Sequence, residues 1–247
     1  MTAGGEGQPE LLPDLEQALP YDVYTFSRGR GEDATFHLAF GSAVDNVGAG
    51  PLLIRGHRAD AATKDMTAEQ RVLRADGSTR GIPGVGKLRY TISPDHAHWH
   101  LLGFDRYELR RARNHHLVRP DRKTGFCLGD RYNTDPRRRL EGEPPGAPLN
   151  GNCGQGDAGL RTVSEGISVG YGDDYRARLE GQSIAVTNLR AGRYVLVHRA
   201  NGDRRLREKS YANNASSILL RLTWPSGRSR VPRVQVLERC ARSERCG

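Results

Sequence analysis

From Leu11 onward, apolar and polar positions alternate with a period of two. That is the signature of strands with one face buried. Thr35-Phe36-His37-Leu38-Ala39-Phe40 alternates clearly, and Pro51-Leu52-Leu53-Ile54-Arg55 is a short apolar run after the Gly48-Ala49-Gly50 turn. Val72 to Ser78 carries an Asp-Gly hairpin signal. Lys87–Ile92, His98–Leu109, Arg193–His198 and Ser217–Thr223 also read as strands. Asp60–Gln70 is the one helix candidate, with neither a strong cap nor an apolar stripe. Strands at this spacing without alternating helices predict an all-β fold, an antiparallel β-sandwich core with long irregular loops and little helix.

The small, polar residues 1–10 read as a flexible N-terminal tail, residues 11–224 as one catalytic-sized domain, and residues 225–247 as a basic C-terminal extension carrying Cys240 and Cys246. Between Arg131 and Gly159 the chain is Pro, Gly, Asn, Asp and Arg with almost no apolar residue. A loop of that length inside a compact domain is usually functional or disordered.

Composition narrows this picture a little. The 247 residues carry a formal charge of +9, and of 38 basic residues only Lys64, Lys87, Lys123 and Lys209 are lysines. The charge is spread along the chain, so no nucleic-acid partner is expected. No run approaches the roughly 18 apolar residues of a membrane-crossing helix, so no membrane span is expected. Met1-Thr-Ala-Gly-Gly-Glu-Gly has neither a basic nor an apolar leader region, so the sequence as given shows no signal peptide.

The strongest chemical signal is Ser93-Pro-Asp-His96-Ala-His98-Trp-His100. Residues two apart on a strand share a face, so His96, His98 and His100 would direct three imidazoles to one side. Three convergent neutral imidazoles form a transition-metal site, and by themselves they suit Cu or Zn. Two further segments are unremarkable in isolation. Asp121-Arg-Lys123-Thr-Gly-Phe-Cys127-Leu-Gly-Asp130 is a turn with one lysine. Glu165-Gly-Ile-Ser-Val-Gly170-Tyr171-Gly-Asp-Asp-Tyr175 is a glycine-rich turn with two tyrosines.

Together, the three segments resemble the lysyl oxidase family, copper amine oxidases with a lysine tyrosylquinone cofactor. The resemblance runs through Leu11-Leu-Pro-Asp-Leu15, Asp45-Asn-Val-Gly-Ala-Gly-Pro51, the histidine triplet, Phe104-Asp-Arg-Tyr107-Glu-Leu109, the Lys-x-x-Phe-Cys-Leu segment at Lys123, and Ser210-Tyr-Ala-Asn-Asn214. It implies copper (Cu2+) on His96, His98 and His100, and a quinone made from Lys123 and Tyr175. Tyr171 falls where vertebrate members have a cysteine. The resemblance also implies a calcium (Ca2+) site from Asp14, the Leu15 carbonyl, Glu208, Asn213 and Asn214, with Ser210 replacing one of the family's aspartates; a plain turn is the alternative for Asn213-Asn214.

The implied reaction is oxidative deamination of a primary amine or peptidyl lysine to an aldehyde, with O2 consumed and H2O2 and ammonia released. Arg106 stands where vertebrate members have a histidine, so the general base is unassigned. Cys127 and Cys153 match family positions and could pair, Cys240 and Cys246 could close a small ring, and free thiols are the alternative. An even cysteine count fits a secreted, extracellular chain. Asp105, Asp130, Asp173 and Asp174 are acidic candidates for holding a cationic substrate, with solvated turn residues as the preferred reading. Two rivals keep the triplet: a zinc-dependent hydrolase, and a non-enzymatic extracellular copper-binding module.

Overall fold

The computed structural model describes residues 8–93, 97–120 and 125–247. In chain order the strands are β1 (Glu10–Leu11), β2 (Leu15–Gln17), β3 (Tyr21–Arg28), β4 (Thr35–Asn46), β5 (Leu52–His57) and β6 (Asp65–Arg74). They continue with β7 (Thr79–Ile92), β8 (Ala97–Leu102), β9 (Asp105–Arg111), β10 (Leu117–Pro120), β11 (Gly125–Phe126) and β12 (Tyr132–Asn133). The last six are β13 (Thr162–Ile167), β14 (Tyr171–Tyr175), β15 (Ser183–Ala185), β16 (Gly192–Ala200), β17 (Ala215–Thr223) and β18 (Arg233–Cys240). A single 3₁₀ turn, Gly31–Asp33, is the only helical element among the described residues. The all-β class read from the alternation holds.

Three antiparallel sheets share the core. The first runs β11-β8-β7-β6-β5-β13 with β1 on β6, the second β10-β9-β16-β17-β18, and the third β12-β14-β4-β15 with β2 and β3 also on β4. Leu38, Phe40, Leu88, Trp99, Tyr107, Leu109 and Ile218 are buried in one cluster spanning all three sheets. Phe40 of β4 packs edge-on against Tyr107 of β9 at 4.9 Å, which ties the second sheet to the third.

The helix expected over Asp60–Gln70 is absent. Asp60 Oδ1 accepts from the amides of Ala62 (2.8 Å) and Thr63 (3.1 Å), which closes a turn instead. From Asp65 the chain is strand, with Met66, Ala68, Gln70 and Val72 buried at every second position. The Asp-Gly signal marks the β6–β7 hairpin as expected, where Asp76 Oδ1 accepts from Ser78 N–H at 2.9 Å.

The C-terminal segment packs onto the domain. Strand β18 pairs with β17 along its length. The Cys240–Cys246 disulfide turns the chain back, so that Cys246 packs on Val195, Val197 and Leu219 across the outer face of the second sheet. Glu244 pins this strap, pairing with Arg199 at 2.6 Å and Arg110 at 3.7 Å. The strap covers apolar surface that a strand pattern alone leaves bare.

Candidate functional site

Strand β8 carries two imidazoles and one indole on opposite faces. His98 and His100 point the same way, with ring centroids 4.7 Å apart and their Nε2 atoms 2.8 Å apart. That separation suits a hydrogen-bonded imidazole pair. It equally suits two nitrogens at right angles about one metal ion, since bonds of ~2.0–2.1 Å place such ligands ~2.9 Å apart. His96 lies outside the described residues.

Trp99 points the other way and explains the long irregular loop. Its indole N–H donates to the Asp157 carbonyl at 3.1 Å, and its backbone N–H donates to the Cys153 carbonyl at 2.9 Å. The Arg58 guanidinium sits 4.7 Å over its ring. The Cys127–Cys153 disulfide joins this loop to the segment after β11. Asp130, fully buried, accepts from Ser168 N–H at 2.7 Å, Ser168 Oγ–H at 2.8 Å and Leu149 N–H at 3.0 Å. The loop is thus a packed backing for β8. No cysteine is free.

Strand β11 approaches β8 closely. A Cβ on Gly125 would lie 2.7 Å from the His100 Cβ, so only glycine allows this contact. Lys123, two positions earlier, lies outside the described residues. The turn before β14 has Gly170 at φ +77°, with its N–H donating to the Asn46 carbonyl at 2.9 Å. From there β14 pairs with β4, setting Asp173 against Val44 and Tyr175 against Ser42.

Tyr175 is half-buried, its ring edge-on to Phe126 at 4.8 Å. Its hydroxyl lies 2.9 Å from the Cys127 carbonyl and 2.9 Å from Asp173 Oδ2. Both neighbours are acceptors. Burial, then the Asp173 charge beside it, holds the phenol well above its ordinary range, so it keeps its proton. Arg131 Nε lies 3.6 Å from Asp173 Oδ1. Beneath them Glu165 is fully buried, accepting from Leu128 N–H at 3.2 Å, and burial pushes its carboxyl well up.

His98, His100, Gly125, Cys127, Asp173 and Tyr175 line one cleft of about 670 Å³, to which all three sheets contribute. Tyr171 is instead a core residue. Of the acidic candidates, Asp173 and Asp174 reach the cleft. The reading of these four as solvated turn residues fails for Asp105, Asp130 and Asp173, each at most 2% exposed. Hydrogen bonds explain it: Asp105 accepts from Ser42 Oγ–H at 2.9 Å, Asp130 from the Ser168 and Leu149 groups above, and Asp173 from Tyr175. The partnership of Asp173, Arg131 and Glu165 with Tyr175 had no separate motif. Its only sequence trace was the two-residue spacing of Asp173 and Tyr175.

A second cluster lies outside the residues that line the cleft. Glu208 Oε2 accepts from Leu15 N–H at 2.8 Å, and Oε1 from Asn214 Nδ2 at 2.8 Å. Asn213 Nδ2 donates to Asp14 Oδ1 at 2.9 Å. All four polar side chains are buried, and the amide oxygens of Asn213 and Asn214 have no hydrogen-bond partner. Burial raises the Glu208 carboxyl to about 7. Among the described residues, the one compact set of three acid, cysteine or histidine side chains is Glu238, Cys240 and Cys246, and its sulfurs are spent in a disulfide.

These features define a disulfide-tied all-β domain with a histidine–tyrosine cleft. A family model described as lysyl oxidase matches residues 56–227, and the chain belongs to the lysyl oxidase family. It is 25% identical, over 225 residues and 88% of its length, to the protein-lysine 6-oxidases of Gallus gallus, Sus scrofa and Rattus norvegicus. The matches cover 46%, 78% and 47% of those proteins, so the chain spans about half the length of two of them. Among the described residues, no helix is long and apolar enough to cross a membrane.

Proposed function

We propose that this chain is a copper- and quinone-dependent amine oxidase, converting a primary amine or peptidyl lysine to an aldehyde with consumption of O2 and release of H2O2 and ammonia. The observation that carries it is the meeting of His98, His100 and Tyr175 in one cleft, walled by Gly125 and Cys127 from the segment that follows Lys123. Membership in the lysyl oxidase family and the relatives named protein-lysine 6-oxidase support the same chemistry.

The donor set fits copper. Two convergent imidazoles on one face of β8 are a transition-metal donor set, and the family membership favours copper over zinc. His96 would complete the triplet. Copper with dioxygen supplies the oxidising power to convert the Tyr175 ring, and the lysine tyrosylquinone made with Lys123 supplies the electron sink that ordinary side chains lack.

The chain's own part is positional. Cys127 and Asp173 hold the phenolic oxygen, Phe126 fixes the ring plane, and Trp99 locks β8 so that its histidines face the cleft. Asp173, Asp174 and Glu180 offer carboxylates to a cationic amine, interspersed with Arg28, Arg119 and Arg131 on the same cleft. The amine must reach the reactive centre neutral, as a nucleophile. Two disulfides suit an oxidising, extracellular setting.

Asp14, Glu208, Asn213, Asn214 and the Leu15 carbonyl would hold a calcium ion. The two orphaned amide oxygens and two carboxylates are a hard-cation donor set. Without a cation, the raised Glu208 carboxyl makes stability fall as pH rises from its unfolded value of 4.5 toward about 7. Calcium at ~100 times its Kd should therefore stabilise the domain by about 2.7 kcal/mol at pH 7.5. That is ~5 °C or more in melting temperature against a chelator control, and Glu208→Gln should erase it. Equal melting temperatures with and without calcium would refute the site.

The activity test is a panel of alkyl monoamines, diamines and lysyl peptides, assayed for hydrogen peroxide with copper-loaded and copper-free protein. Peroxide release should require both copper and amine. Zinc-loaded protein with hydrolase activity and no peroxide would overturn the proposal.

A further inference from the structure

The cleft that holds His98, His100 and Tyr175 carries both signs of charge on its walls, with Arg28, Arg119 and Arg131 beside Asp173, Asp174 and Glu180. These groups are not equally committed. Arg131 stands 3.6 Å from Asp173 and donates to Asn150 Oδ1 at 2.8 Å. Asp174 lies beside the Tyr21 hydroxyl. Arg28 and Arg119 are exposed, and among the described residues neither guanidinium has a carboxylate partner.

Both are nonetheless placed. The Arg28 guanidinium lies 5.4 Å over the Phe26 ring, and Phe26 stacks on His37 at 5.3 Å. An aromatic ring takes the flat face of a guanidinium and leaves its in-plane N–H donors available. Arg119 donates one N–H to the Val118 carbonyl at 2.9 Å and keeps its other donors. Arg28 ends β3 in the third sheet, whereas Arg119 sits on β10 at the edge of the second. Glu180 is exposed and has no cationic partner among the described residues.

A diamine entering this cleft would bring its second ammonium toward two uncommitted guanidiniums. A ligand with an ammonium at one end and a carboxylate further along satisfies both signs. Glu180 and Asp174 then answer the ammonium, while Arg28 and Arg119 answer the carboxylate, whose planar geometry matches the guanidinium fork.

We propose that the cleft selects primary amines that also carry a carboxylate away from the reacting nitrogen, with Arg28 and Arg119 as the specificity-determining residues. The inference deepens the reading of this cleft as an amine-oxidising site and rests on it. Two sources supply that chemistry: a free ω-amino carboxylate, and a lysyl peptide with an acidic neighbour. In either, the carboxylate binds as an ion and only the nitrogen end reacts.

The test measures amine-dependent peroxide release by copper-matured protein on matched pairs. ε-Aminocaproate is set against n-hexylamine, and acetyl-Glu-Lys-amide against acetyl-Gln-Lys-amide, with cadaverine as the doubly cationic case. The carboxylate-bearing member should win by about tenfold in kcat/KM, carried by KM, as one charge-assisted contact allows. Raising NaCl from ~20 to ~500 mM should shrink that ratio severalfold, because exposed ion contacts are screened. Arg28→Gln and Arg119→Gln should each pull the ratio toward one, and the double change Arg28→Glu with Arg119→Glu should turn the preference toward cadaverine.

A preference in the peptide pair alone marks an acidic polypeptide as the source, and one in the ε-aminocaproate pair alone marks a free amino carboxylate. Equal kcat/KM within both pairs would overturn the proposal and leave the oxidase reading standing. So would a wild-type preference for cadaverine, or a carboxylate preference that both Arg→Gln variants keep in full. No peroxide from any amine would overturn the oxidase reading together with this proposal.

Discussion

Tyr175→Phe is expected to abolish amine-dependent peroxide release while leaving the fold and the copper site in place. The ring would stay edge-on to Phe126, so packing is retained. What goes is the hydroxyl, and with it the hydrogen bond to Cys127 O or Asp173 Oδ2. An unmade buried hydrogen bond costs ~1–3 kcal/mol, which a domain of this size survives. The chemical loss is far larger. Without an oxygen on the ring no quinone forms, and the electron sink that amine oxidation needs is lost. Since enzymes accelerate their reactions by ~10⁶-fold or more, activity should fall at least ~10⁴-fold, to the level of free copper. Circular dichroism and copper content should match wild type. Retention of a tenth of wild-type activity would place the electron sink elsewhere.

The second large effect is on stability in acid. His198 is fully buried on β16 between Phe40 at 4.8 Å and Tyr107 at 4.5 Å, and neither ring nitrogen has a hydrogen-bond partner. Burial lowers its pKa from 6.5 to about 3. Above pH 6.5 the imidazole is neutral folded or unfolded. Below it the unfolded chain takes up a proton that the folded chain refuses, so stability falls as pH drops from 6.5 toward 3. At ~1.36 kcal/mol per unit, this group alone should remove about 2–3 kcal/mol between pH 7.5 and pH 4.5. Urea titrations at the two pH values measure it. His198→Phe, which fills the same aromatic slot without titrating, should lose that much less than wild type. Equal acid losses in the two proteins would show that His198 is not responsible.

Much of the site was legible because its information is local. Alternation along β8 sets His98 and His100 on one face whatever the rest of the fold does, and Trp99 must then face the other way. The Asp76-Gly77 hairpin is encoded the same way. The Asp60–Gln70 error is also local: an Asx turn at Asp60 broke a segment too short and too polar to nucleate a helix, and the period-two burial of Met66 to Val72 then took over. Long-range features left weaker traces. The surroundings of Asp173 and Tyr175 depend on Cys127 and Arg131 arriving from the loop after β11. The strap held by Glu244 depends on three strands of the second sheet being adjacent. The polar core of Gln17, Ser42 and Asp105 reads in sequence as three ordinary polar residues, yet in the fold they form one buried network.

The central claim is that Lys123 and Tyr175 become one cofactor beside a histidine-bound metal. Digestion and mass spectrometry of copper-matured, air-exposed protein test it most directly. The account predicts a single crosslinked species joining the Lys123 and Tyr175 peptides, stained as a quinone and absent from copper-free protein. Separate, unmodified Lys123 and Tyr175 peptides from a fully copper-loaded sample would contradict it.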